Sequence, residues 1–290
     1  MLDRSLALGI DLGTTGVRIA IINNEKQILY TSSTDYPRGL DEWQDWIEGC
    51  KKLLEETPKD LKQKLISCAI AGTSGTLLAC KKNGEPLGKA LPYFLSYSDY
   101  STKISNLFIN ECAASSSSGS VARALKLLDL YGNQIILRHQ ADWLSGWLLN
   151  NWKYGEEGNN IRMGWKISKA SWPKAFRNLE WLDCLPEIIS SGEIMGNISI
   201  KKANQLGLPK YLKIIAGTTD SNAGVLATIP KKNDGITILG STIVIKKFVN
   251  EPLKGQGISN HKLLGQWLSG GASNTGGSIL LKFFTLKDIK

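Results

Sequence analysis

Three short turns rich in Gly, Thr and Ser each follow an apolar run: GIDLGTTGVR over Gly9–Arg18, AGTTDSNAG over Ala216–Gly224 and ILGSTIVIK over Ile238–Lys246. At such a turn a fold can aim backbone N–H groups and hydroxyls at an anion. The first and third also resemble each other, Leu12-Gly13-Thr14-Thr15-Gly16-Val17 aligning with Leu239-Gly240-Ser241-Thr242-Ile243-Val244. Two copies of a strand-turn-strand device, one toward each end of the chain, suggest two related halves facing one ligand.

The context of these turns excludes other phosphate and nucleophile motifs. A dinucleotide G-x-G-x-x-G turn leads into a helix, whereas here Asp11 stands at the middle glycine position and VRIAII reads as a strand. A Walker A loop needs G-K-[ST], and the only Gly-Lys pair, Gly88-Lys89, is followed by Ala90. Gly72-Thr73-Ser74-Gly75-Thr76 misses the G-x-S-x-G elbow by one residue, and a strand rather than a helix follows it. What remains is a phosphate-binding β-hairpin with a carboxylate at its mouth, opposed by a second hairpin.

Apolar patterning places these turns in a larger order. Leu6 to Ile10 and Val17 to Ile22 read as strands, with a tight turn over Gly13 to Gly16 and another at Asn23-Asn24. Trp43, Trp46, Ile47, Cys50 and Leu54 recur at helical steps. LISCAIAG and TLLACKK read as strands around a Gly-rich turn, and Asn83-Gly84 as a hairpin turn. Ser115 to Ser118 is a loop; VARALKLLDLYG and HQADWLSGWLLNNW are helical, with Trp143 and Trp147 spaced for core packing. GEEGNNIRMGWKISKASWP lacks a clean period and reads as a long loop, and near Lys213 the pattern returns to β-turn-β. A domain boundary is expected there, giving domains 1–212 and 213–290.

The length of 290 residues suits two domains, and a 42% hydrophobic content excludes disorder. The formal charge of +9 raises the question of an anionic partner. Its basic residues come as scattered pairs such as Lys51-Lys52 and Lys201-Lys202, the pattern of a solvated surface, so no nucleic-acid partner is expected. Five cysteines without C-x-x-C spacing read as reduced thiols, and His139 and His261 lie too far apart in sequence to suggest a His/Cys metal site. With neither a membrane-length apolar run nor a signal-peptide layout, a soluble cytoplasmic protein without a membrane partner is expected.

Taken in order, the D-x-G-T-T hairpin, the G-T-T-D-S-N-A-G segment and the L-G-S-T hairpin resemble those of the FGGY carbohydrate kinases, within the actin-like ATPase superfold. ADWLSGWL, GWKISKASWP and the closing SGGASNTGG are similar to the short xylulose-kinase-like branch. The resemblance implies an α/β, ribonuclease H-like two-domain fold with mixed sheets and flanking helices. Residues 1–212 would carry the phosphate hairpin and sugar site, and 213–290 a partial nucleotide-binding domain. In the family that domain continues well past SGGASNTGG, so the second domain is expected to be incomplete. The implied reaction uses ATP and Mg²⁺ and moves the γ-phosphate to a hydroxyl of a sugar or polyol, a ketose such as xylulose or ribulose.

Site roles follow from what phosphoryl transfer needs, positioning and charge stabilisation. Asp11, beside the first hairpin, is a catalytic and substrate-side carboxylate that would hold Mg²⁺ through water. Gly13, Thr14 and Thr15 offer donors to the terminal phosphates, and Gly240, Ser241 and Thr242 would grip them from the other domain. By the resemblance Asp220 is the base for the sugar hydroxyl; on its own, the same residue reads as a helix N-cap. Ser74 would hydrogen-bond a sugar hydroxyl or satisfy its own turn. Asp99, in PYFLSYSD, matches a sugar-contacting Asp but lacks the Arg that usually follows it. Two further readings stay open: a catalytically incomplete sugar-binding or regulatory relative, and a sugar-independent ATP hydrolase.

Overall fold

The computed structural model describes residues 5–107, 114–231, 233–239, 243–255, 257–273, 279 and 283–285. The chain divides into two compact units, Met1–Ser221 and Asn222–Lys290.

The first unit opens with an antiparallel meander of β1 (Leu6–Leu12), β2 (Gly16–Ile22) and β3 (Ile28–Asp35). Period-two alternation buries Leu6, Leu8, Ile10 and Leu12 of β1 and Val17, Ile19 and Ile21 of β2 on one face. Helix α1 (Trp43–Glu56) lies against β2 and β3 and buries Trp46, Cys50, Leu53 and Leu54. Its stripe is the one its apolar spacing predicts, and each buried leucine contributes about 1.5–3 kcal/mol relative to exposure. A short α2 (Lys59–Gln63) leads into β4 (Leu65–Gly72), which pairs in parallel with β1.

Next comes an antiparallel ribbon of β5 (Leu77–Cys80) and, after α3 (Ser101–Leu107) and α4 (Ser120–Tyr131), β6 (Ile136–His139). Helix α5 (Gln140–Leu149) packs on β4 and on the later strand Lys213–Thr219. Trp143 and Trp147 are both buried, and Trp143 meets the rings of Trp43 and Trp46 edge-on at 5.7 and 5.9 Å.

The segment read from sequence as a long loop is instead structured. It contains β7 (Tyr154–Glu156), α6 (Glu157–Asn160) and 3₁₀ turns, followed by β8 (Glu187–Ile189), which pairs in parallel with β7. Its order comes from polar contacts, which apolar periodicity does not register. The Glu156 carboxylate caps α6 by accepting from the N–H groups of Gly158 and Asn159, both at 2.8 Å. From the neighbouring helix, Asp142 accepts the Glu156 N–H at 2.9 Å and the Asn160 Nδ2 at 2.9 Å.

The unit is completed by β9 (Ile194–Asn197), α7 (Ile200–Leu206), β10 (Lys213–Thr219) and the start of α8 (Asp220–Ala227). Its main sheet has the order β3-β2-β1-β4-β10-β9, with β1, β4 and β10 parallel. Strand β10 therefore belongs to the first unit's sheet, and the division falls at Ser221/Asn222 rather than before Lys213.

The second unit is an antiparallel sheet of order β11-β12-β14-β13, formed by β11 (Gly235–Leu239), β12 (Ile243–Val249), β13 (Ile258–Leu263) and β14 (Gln266–Ser273). Among the described residues its buried apolar cluster is Val225, Ile236, Leu263 and Leu268. Gly240, Ser241, Thr242, Cys112, most of the helix-like run SILLKFFTLKDIK and the end of SGGASNTGG lie outside the described residues. Among the described residues no helix is long and apolar enough to cross a membrane.

Candidate active site

Register aligns the carboxyl ends of three parallel strands. Asp11 of β1 and Thr218 of β10 both pair with Ala71 of β4, while Leu12 and Thr219 both pair with Gly72. The Gly13–Thr15 hairpin tip, the Thr73–Gly75 turn and Asp220 therefore leave the sheet along one edge. In open α/β sheets this is the edge beyond which ligands bind. Strand β10 reaches that register through an irregularity between Ile215 and Thr218. There Gly217 lies so close to β4 that a Cβ would stand 1.9 Å from the Ile70 carbonyl oxygen.

The hairpin between β1 and β2 closes through Gly13 N–H to the Gly16 carbonyl at 2.9 Å. Thr14 and Thr15 sit exposed at its tip, and their backbone N–H groups meet no acceptor among the described residues. Two adjacent unspent amides flanked by hydroxyls fit a phosphate oxygen. Arg18, directly across the ladder from Asp11, donates from Nη1 to Asp11 Oδ2 at 3.1 Å. Among the described residues no three His, Cys, Asp or Glu side chains converge as metal ligands. A lone carboxylate beside a phosphate turn suits Mg²⁺, which keeps most of its waters, and this is the fit Asp11 offers.

At the second turn Thr73 is fixed from three sides. Its N–H and Oγ1 both donate to Gln140 Oε1, at 3.1 and 2.7 Å, and Oγ1 lies 2.7 Å from Thr76 Oγ1. Ser74, half-buried between Thr73 and Gly75, has a hydroxyl with no hydrogen-bond partner among the described residues. Gly75 takes φ +101°, a conformation that favours glycine.

Behind this turn lies Arg123, fully buried, which sequence reasoning missed. It donates to the carbonyls of Gly75, Tyr93, Leu95 and Ser118 at 2.7, 3.1, 2.9 and 3.0 Å. One guanidinium thus ties the Ser74 turn to the PYFLSYSD segment and to the Ser115–Ser118 loop. Burial pushes its pKa down to about 10, so it remains charged at neutral pH. A lone arginine in an otherwise apolar helix stripe was the available signal, but its acceptors are distant in sequence.

Asp220 is half-buried at the first position of α8, with its Oδ1 accepting from Ser221 N–H at 2.6 Å. Asp99 sits exposed in a 3₁₀ turn before α3, and among the described residues no hydrogen bond joins it to Asp11, Ser74 or Asp220. In the second unit, Lys246 Nζ donates to Oδ1 of the buried Asn222 at 2.7 Å, and Asn222 Nδ2 lies 3.3 Å from Nδ1 of the half-buried His261.

No family model matches the chain. Solved structures do. A xylulose kinase from Rhodospirillum rubrum superposes with a TM-score of 0.84 at 14% identity, covering 96% of this chain and 62% of that one. A Plasmodium falciparum glycerol kinase with ADP gives 0.82 at 15% identity, covering 96% and 63%. A gluconate kinase from Lactobacillus acidophilus gives 0.76 at 14% identity, covering 97% and 63%. The chain has the α/β, actin-like ATPase fold of these carbohydrate kinases and spans 62–63% of their length.

Proposed function

We propose that the chain carries the acceptor-side and first phosphate-binding elements of an ATP- and Mg²⁺-dependent carbohydrate kinase, acting on a ketose such as xylulose or ribulose. One observation carries this reading: the shared register of β1, β4 and β10 delivers Asp11, the tip amides of Thr14 and Thr15, the free hydroxyl of Ser74 and Asp220 to a single sheet edge. Solved structures of the same fold include kinases of xylulose, glycerol and gluconate, which supports the class and leaves the acceptor as part of the proposal.

In this reading the N–H groups of Thr14 and Thr15 hold the terminal phosphate oxygens against the hairpin. When bound, Mg²⁺ would neutralise phosphate charge, and Asp11, whose carboxylate also pairs with Arg18, would hold it. Ser74 orients a sugar hydroxyl. Asp220 accepts the proton of the attacking hydroxyl as its oxygen bonds to the γ-phosphorus and the bond from that phosphorus to ADP breaks. Asp99, exposed and lacking the usual following Arg, is assigned an outer sugar contact.

The test is ADP formation from ATP and Mg²⁺ in the presence of a panel of ketopentoses and polyols. Acceptor-stimulated ADP release is expected. ADP release at one rate with and without every acceptor would identify a hydrolase instead.

A further inference from the structure

A polar cavity lies at the opposite end of the β5–β6 ribbon from the Ser74 turn. The ribbon pairs Leu77 with His139 at the turn end and Cys80 with Ile136 at the far end. Beyond that far end is a cavity of about 500 Å³ whose polar lining is Lys82, Asn83, Arg138, Asn150, Asn151 and Lys153. Among the described residues no carboxylate lines it. We infer that this cavity binds a small phosphorylated anion.

Arg138 carries the argument. It is 3% exposed and donates only to backbone carbonyls: Nε to Trp152 at 2.5 Å, and Nη1 to Leu137 at 2.7 Å and to Cys184 at 3.0 Å. Among the described residues no carboxylate comes within ion-pair distance of it, and Nη2 has no acceptor. Burial lowers its pKa to about 10, and the nearby charge of Asp142 opposes that shift, so the guanidinium stays protonated at neutral pH. A buried guanidinium with no carboxylate in ion-pair contact and one nitrogen unspent is costly, and a ligand phosphate reaching Nη2 would offset that cost.

The rest of the lining fits the same ligand. Lys82 and Lys153 are exposed at the cavity. Lys82 Nζ donates to the Asp183 carbonyl at 2.9 Å, and Lys153 meets Glu187 at 2.7 Å in a pair more than half exposed on both sides. Such an exposed pair is weak and exchanges readily for a better anion. The asparagine amides add neutral donors. The volume exceeds that of a phosphate ion and suits a phosphate ester of sugar size.

The experiment is calorimetric titration of the full chain with inorganic phosphate, glucose 6-phosphate and, as the neutral control, glucose. Lys82→Glu and Lys153→Glu replace exposed residues outside the candidate active site, and unchanged circular dichroism confirms their folding. The expected result is saturable binding of phosphate or its ester, weakened about tenfold or more in each variant, with no binding of glucose at this site. Tighter binding of glucose 6-phosphate identifies an ester as the ligand, and equal binding the free ion. Failure of both anions to bind, or binding unchanged in both variants, would overturn the proposal and leave Arg138 and Lys82 as partners of the backbone carbonyls of Leu137, Trp152, Asp183 and Cys184.

Discussion

Arg123 and Gly75 are joined by a buried 2.7 Å hydrogen bond from the guanidinium Nε to the carbonyl of a glycine held at φ +101°. The same side chain holds three further carbonyls, so the Ser74 turn is positioned by a residue 48 positions away in sequence. Arg123→Met leaves these carbonyls buried without a donor and should cost about 3 kcal/mol or more in urea unfolding. Arg123→Lys should recover little, because an ammonium with three donors on one nitrogen does not span acceptors from three segments.

Two glycines should respond in opposite directions to alanine. At Gly217 the new methyl meets the Ile70 carbonyl at 1.9 Å, and Gly217→Ala should destabilise by about 3 kcal/mol or more or prevent folding. At Gly224, in α8, a new methyl meets no described residue within 4 Å, and Gly224→Ala should stabilise by about 0.5–1 kcal/mol. Thermal unfolding of the two variants side by side checks the sign of both.

These features show how far the sequence was legible. The β1–β2 hairpin was, because alternating apolar residues fix its faces and Gly13 and Gly16 fix its turn; the Arg18–Asp11 pairing then follows from hairpin register. Helix α1 was legible from the spacing of Trp43, Trp46 and Cys50. The α6 region was not, because a four-residue helix held by Glu156 and Asp142 has no apolar period to read. Arg123 and Gly217 were missed for a related reason: each matters through partners brought close only by the fold, namely the carbonyls of Tyr93 and Leu95 and the backbone of Ile70.

Glu156 should leave a pH signature. Burial raises its pKa well above the usual carboxylate value, two backbone N–H bonds oppose the shift and the charge of Asp142 adds to it. A carboxyl whose folded pKa is raised releases its proton first from the unfolded chain. Its effect therefore lowers stability as pH rises from about 4.3 toward the folded value. The stability difference between the wild type and Glu156→Gln, measured by urea unfolding from pH 4 upward, should move against the wild type over that window. A difference independent of pH would contradict the assignment.

Arg18→Ala separates stability from site chemistry. The pair with Asp11 is largely exposed, with side chains 58% and 40% accessible, so unfolding should change by no more than about 1 kcal/mol. In the proposed reading Arg18 would compete with Mg²⁺ for Asp11, so the variant should reach half-maximal turnover at Mg²⁺ concentrations about fivefold lower. An unchanged Mg²⁺ dependence would remove Asp11 from the metal-holding role.

The most direct test of the proposed phosphoryl transfer is ³¹P NMR of the products formed from ATP, Mg²⁺ and a ketopentose panel by the wild type and by Asp220→Asn. A new sugar phosphate ester is predicted for at least one acceptor, formed about 100-fold or more slowly by the folded variant. A folded wild type that yields no phosphate ester with any sugar or polyol, or an Asp220→Asn variant that yields it at the wild-type rate, would contradict the account.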